Sequence, residues 1–167
     1  MTGRRSHRDS SHQPRRDRMD AERVSDPYRA RGKWKEPTTC PECGAIFHDG
    51  RWQWGTAVPG AEQHLCPACQ RIRDRVPAGQ LTLSGPFFAE HREEILQLVR
   101  HTEAKARAEH PLERIIEVKD EADRTVVTLT GTHLTHGLGE ALHHAHHGEL
   151  DSRYTDEGDL LRVSWSR

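Results

Sequence analysis

The sequence is short of the residues that build large cores. Hydrophobic side chains make up 33% of its 167 residues and aromatics only 5%. Such a chain supports a modest core, and part of it is expected to stay unpacked. No apolar run approaches the ~18 residues of a membrane span, and the N-terminus lacks the apolar stretch of a secretion signal. The chain therefore reads as soluble and cytoplasmic, with no membrane partner. No phosphate-cradling glycine loop, no Ser/His/Asp order and no convergent carboxylate pair stands out. An enzyme would have no residue to stand on, and no small-molecule substrate is indicated. Cysteine is scarce as well: there are four, all in two short motifs.

Those motifs are Cys40-Pro41-Glu42-Cys43 and Cys66-Pro67-Ala68-Cys69. Two residues between paired cysteines let one tight turn aim both sulfurs at the same point. Pro41 and Pro67 stiffen the turns by fixing φ, and Gly44 follows where the chain must curl. Two such pairs, some twenty residues apart, form a zinc-site signature. Thiolates at about 2.3 Å suit zinc, and four of them fill its coordination sphere. The expectation is one structural Zn2+ on Cys40, Cys43, Cys66 and Cys69. Competing readings are two disulfides, a thioredoxin-like redox pair and an iron–sulfur cluster. The absent secretion signal argues against the first, and the doubling of the motif against the second. His48 and His64 lie inside the loop and could replace a cysteine, although nothing requires it.

Net charge is −1, but it is unevenly spread. Residues 1–36 carry eleven Lys/Arg against six Asp/Glu, and the remainder 14 against 20. Residues 1–35 have almost no large apolar side chain before Tyr28 and are expected to be a disordered basic tail, polyanion-seeking or merely solvated. Residues 36–80 form the zinc ribbon. Asp49-Gly50 signals a two-residue hairpin turn. Arg51-Trp52-Gln53-Trp54 alternates as a strand, placing Trp52 and Trp54 on one face, either stacked on unpaired bases or capping the small core. Arg71, Arg73 and Arg75 cluster after Cys69, where they balance thiolate charge or face a phosphate backbone. Arg51, Trp52, Trp54, Arg71, Arg73 and Arg75 are the candidate nucleic-acid contacts.

Residues 81–167 read as a small α+β layer domain in the order α-β-β-α-β. Leu81–Leu83 is a short extended lead. Gly85-Pro86 opens a helix to about His110, with Phe88, Ile95 and Val99 as its buried stripe, flanked by Leu96 and Leu98. Residues 112–130 read as a β-hairpin, with Leu112, Arg114, Ile116 and Val118 on one face and a loop at 120–123. A second helix spans about 133–147, its stripe being Leu134, Leu138, Ala141, Leu142 and Ala145, with Gly148 past its end. Gly137 and Gly139 inside it suggest close packing or the approach of a ligand. The last strand, Leu160 to Trp165, points Leu161, Val163 and Trp165 one way. Some KH-type RNA-binding modules share a related order, but their G-x-x-G loop is absent.

Six histidines crowd the second helix: His133, His136, His143, His144, His146 and His147. Glu140 and His143 have the i, i+3 spacing of helical carboxylate metal sites, so His136, Glu140 and His143 are a candidate second site. Their place away from the apolar stripe favours solvated histidines instead.

Five stretches carry a resemblance: CPECGAIFHDGRW, CPACQRIRDRVPAGQLTLSG, HPLERI, THLTHGLGEALHHAHHGELDSRY and the terminal LRVSW. Together, over roughly residues 31 to 166, they resemble a family of small bacterial zinc-ribbon proteins of unassigned activity. That family is weakly similar to the adaptor for large ribosomal subunit export and nonsense-mediated decay. The adaptor carries a longer, multi-knuckle zinc region, whereas this chain has one four-cysteine site. The resemblance implies association with ribosomes or RNA. The expectation is a non-enzymatic zinc-binding adaptor for RNA or the ribosome. The alternatives are a protein–protein module and, third, a metal-handling protein using the histidine helix.

Overall fold

The computed structural model describes residues 26–28 and 34–167. Apart from 26–28, 34 and 35, the segment read as a disordered tail lies outside the described residues. Those five belong to the ribbon. Asp26 and Tyr28 sit on its helix, and Trp34 packs against its core.

The first sheet is small and follows from short local pairings. It contains β1 (Thr38–Thr39), β2 (Ile46–His48), β3 (Arg51–Gln53) and β4 (Glu62–Gln63), in the order β3-β2-β1-β4. β2 and β3 form the hairpin that Asp49-Gly50 predicts. Both turn residues take positive φ, 51° and 74°, as a type I′ turn requires. The Glu36 carboxylate accepts both turn amides, at 2.9 and 3.0 Å. The ribbon ends in α1 (Pro67–Asp74), with Cys66 as N-cap and Arg75 in the left-handed conformation as C-cap.

The second sheet has five strands: β5 (Gly79–Ser84), β6 (Ile115–Asp120), β7 (Arg124–Leu129), β8 (Glu149–Tyr154) and β9 (Leu161–Ser166). Their order is β6-β7-β5-β9-β8, with β5 and β9 parallel and every other pair antiparallel. α2 (Pro86–Glu90), α3 (Arg92–Glu109) and α4 (Thr132–His146) accompany it. The core lies between this sheet and the helices, where Leu81, Leu83, Ile95, Val99, Val127, Leu129, Leu138, Leu142, Val163 and Trp165 are buried. The chain is thus mixed α+β, with four helices and two sheets among the described residues.

Five expectations need correction. Leu81–Leu83 is not a lead but part of β5, the middle strand. The first helix is two, broken at His91, whose φ of −112° and ψ of 22° leave the helical basin. A register shift between Ile115 and Glu117 puts Ile115 and Val118 on the core, rather than Arg114, Ile116 and Val118 together, because a bulge interrupts the two-residue period. β8 adds a strand between α4 and β9, so this unit runs β-α-α-β-β-α-β-β. Ala145 is exposed, whereas Leu134, Leu138 and Leu142 are buried as expected.

Candidate metal centre

The four cysteines arrive from two directions. Cys40 leaves β1, and the chain folds back at once: the Gly44 amide donates to the Cys40 carbonyl at 2.9 Å, and the Cys40 amide to Ala45 at 2.8 Å. Gly44 has φ 76° with open space where a Cβ would stand, so its backbone conformation, not crowding, calls for glycine. Cys66 caps α1, and its sulfur accepts the Cys69 amide at 3.4 Å. The Cys40 sulfur accepts the Cys66 amide at 3.4 Å, which ties the two motifs together. Pro67 opens the helix where no amide is needed.

All four sulfurs lie within 4.8 Å of one another. Cys43 and Cys66 sulfurs are 3.8 Å apart, far beyond the ~2.05 Å of a disulfide, and all four cysteines are free. Cys40, Cys66 and Cys69 are buried, and Cys43 is half-buried. The expected ligand set is therefore assembled, and it can hold a metal ion. Trp34, Phe47 and Trp52 wall it in, with ring centroids 5.6–6.4 Å apart.

Burial sets the charge of these sulfurs. Burial pushes the Cys66 thiol up, and pushes Cys69 up to about 12 although Arg114 partly offsets it. Burial also works against Cys40, but hydrogen bonds from backbone amides, that of Cys66 foremost, outweigh it and bring Cys40 down to about 7. Buried sulfurs shed their protons readily when positive charge is placed among them.

Arg114 supplies some of that charge, and sequence reasoning missed it. Its guanidinium lies 3.4 Å from the Cys69 sulfur and 3.8 Å from that of Cys66. Burial disfavours its charge, yet the sulfurs of Cys43 and Cys69 raise its pKa. The available hint was HPLERI, where Glu113 and Arg114 sit between Leu112 and Ile115.

The nucleic-acid candidates are scattered. Trp52 is buried in the ribbon core. Arg71 turns inward to pair with Asp26 at 2.6 Å beneath the Tyr28 ring. Trp54 lies beyond β3, and its indole donates to the Arg107 carbonyl at 2.6 Å. Arg51, Arg73 and Arg75 are exposed, Arg73 beside Glu42. The two tryptophans thus do not form one stacking face, since β3 ends at Gln53.

The candidate second metal site does not converge. His136 lies 3.8 Å from Glu140, but the His143 ring contacts the Gly148 carbonyl. Among the described residues, only the cysteines and Glu36, His48 and Asp49 bring three or more ligand atoms together. Glu36 is occupied with the hairpin turn. His64 packs on Trp34 at 4.0 Å, away from the sulfurs. No helix among the described residues is long and apolar enough to cross a membrane. Compared with family models, curated proteins and solved structures, the chain matches none of them.

Proposed function

We propose that the chain is a zinc-stabilised, non-enzymatic adaptor that associates with RNA or the ribosome in the cytoplasm. The observation that carries the zinc reading is the closed cluster of four sulfurs. A zinc ion with four thiolates at about 2.3 Å sets neighbouring sulfurs about 3.8 Å apart, which is the Cys43–Cys66 separation. A cluster of several irons would spread its cysteines further. Four protein ligands leave no position for water, so the ion's part is structural. Cys40, Cys43, Cys66 and Cys69 would hold it, and Arg114 would balance its excess negative charge.

RNA or the ribosome is supported by the eleven basic residues among the first 36 and by Arg51, Arg73 and Arg75 on the ribbon surface. The resemblance to small bacterial zinc-ribbon proteins, a family weakly similar to a ribosomal-subunit adaptor, points the same way. A protein-docking module is the second reading. What favours it is a cleft of about 1380 Å³, walled by Trp34, Phe47, Trp52, Leu112 and Leu134, together with the inward turn of Arg71.

Sedimentation of the tagged protein through sucrose gradients of its own lysate separates the two. Movement with a ribosomal peak, lost at high salt or after nuclease, is the expected outcome. Arg51→Glu with Arg75→Glu should weaken it. A protein that stays at the top of the gradient in every condition is not a ribosome adaptor. A complex that survives both nuclease and salt is the protein-docking module.

A further inference from the structure

Arg114 has one end in each half of the molecule. It is 5% exposed, and none of the ion pairs among the described residues includes it. Its Nε donates to the Pro111 carbonyl at 2.7 Å. Its other two nitrogens lie against the sulfurs of Cys69 and Cys66, with Cys43 close enough to act on them as well. A buried cation without compensation is strongly unfavourable, so these sulfurs are what keeps the side chain where it is.

Its backbone is anchored in the α/β domain. The Arg114 amide donates to the Thr130 hydroxyl at 2.9 Å, and its carbonyl accepts the Thr130 amide at 2.9 Å. The same hydroxyl donates to the Leu112 carbonyl at 2.6 Å. Next door, the Glu113 carboxylate accepts the Leu134 amide at 3.1 Å, in the first turn of α4. α4 starts from Gly131 and has no side-chain cap of its own, so Glu113 takes that role from another segment. Leu112 packs against the ribbon core. Three consecutive residues therefore join the metal ligands to the start of α4 and the end of β7.

We infer that Arg114 transmits metal loading of the ribbon to the α/β domain, so that losing the ion loosens residues 112–118 and the first turn of α4. The inference rests on the metal-centre reading above, but not on the identity of the partner. A bound ion fixes the sulfurs, and the fixed sulfurs fix the guanidinium. Without the ion only the amide bonds to the Cys40 and Cys66 sulfurs hold the cluster, and the guanidinium no longer rests on fixed sulfurs. It relaxes by leaving its site. That movement pulls 112–114 away from Thr130 and uncaps α4 at Leu134. The cleft between Trp52, Leu112 and Leu134 is then lost with the metal, which makes ligand binding there dependent on metal supply.

The test is amide hydrogen exchange on the full chain, zinc-loaded and after EDTA in reducing buffer, with bound metal counted in both states. In the wild type, chelation should speed exchange at least about tenfold over 112–118 and 130–136, besides the ribbon itself. Arg114→Met should keep the ion, since it leaves all four sulfur ligands in place. In that variant chelation should speed the ribbon while changing 112–118 and 130–136 less than about twofold. If Arg114→Met does not fold, Arg114→Lys carries the same comparison, because it keeps the charge and loses the fork to two sulfurs. Chelation that leaves 112–136 unchanged in the wild type overturns the inference while sparing the metal site. So does equal acceleration in wild type and variant, or uniform acceleration through β5 and β9 in both. A chain that binds no metal at all overturns both readings.

Discussion

Cys43 is the half-buried member of the ligand set, and its sulfur sits 3.8 Å from that of Cys66. Serine there keeps the volume and loses the thiolate. Structural zinc provides about 10–16 kcal/mol of apparent binding free energy in small zinc modules. Cys43→Ser should therefore lose the ion and unfold the ribbon, seen as near-zero metal content and a red shift of Trp34 and Trp52 emission. A variant that stays folded and loaded would remove Cys43 from the ligand set. Asp120 gives a pH-dependent expectation of another kind. Its carboxylate accepts two bonds from Arg92 at 2.7 Å and one from Thr125 at 2.7 Å. The Arg92 guanidinium first, and Thr125 second, hold its pKa below the usual carboxylate value. A lowered folded pKa stabilises above the unfolded carboxylate range, near pH 4, and that contribution is lost as pH falls through the folded value. Asp120→Asn should melt below wild type at pH 6, with the gap closing as pH falls below the carboxylate range. A gap that stays constant across that range would exclude the ionised pair as its source.

Within α4, two glycines two residues apart make opposite demands. A Cβ on Gly139 would come 2.7 Å from Val163 Cγ1 and 2.9 Å from Leu150 Cδ1, whereas one on Gly137 would meet nothing within 4 Å. Gly137→Ala should stabilise by up to about 1 kcal/mol, the difference in helix propensity. Gly139→Ala gains the same propensity but overpacks against β8 and β9, and should be net destabilising by about 1–2 kcal/mol. Thermal melts of the two variants should move in opposite directions, and equal shifts would contradict the packing of α4 on the sheet. The same element shows what was legible in the sequence. Leu134, Leu138 and Leu142 read correctly because helical period and burial coincide. Leu161, Val163 and Trp165 read correctly because β9 presents one face to the core. The four-cysteine cluster was legible because its geometry is local within each pair. β8 was not legible, since Glu149–Tyr154 is an edge strand with only Leu150 turned to the core, and polar edges carry no apolar period. β5 was hidden between Pro77 and Gly85-Pro86, whose turn chemistry dominated a six-residue strand. Arg114 was out of reach because its meaning depends on sulfurs about fifty residues away in the chain, and such long-range contacts leave no periodic trace.

As a whole, the molecule is two small cores that meet at few points: the Arg114 fork on the sulfurs, Leu112 against the ribbon, and the Trp54 indole on the Arg107 carbonyl. The larger core closes around Trp165, which is fully buried with its indole donating to the His147 carbonyl at 2.7 Å. Trp165→Ala should destabilise the α/β domain by about 3–5 kcal/mol, read from denaturant midpoints. A loss under about 1 kcal/mol would mean that β9 is not integral to the sheet. That strand has a further consequence through its partner. β5 sits mid-sheet with β7 on one side and β9 on the other, and its parallel partner β9 follows roughly eighty residues later, a contact of high order. During synthesis the last cysteine, Cys69, emerges before any part of β5, so the ribbon can mature around its ion while translation continues. β5 then waits with one edge bare until β9 has been made. On the proposed metal-centre reading, the nascent chain needs metal early and protection from aggregation late, in that order.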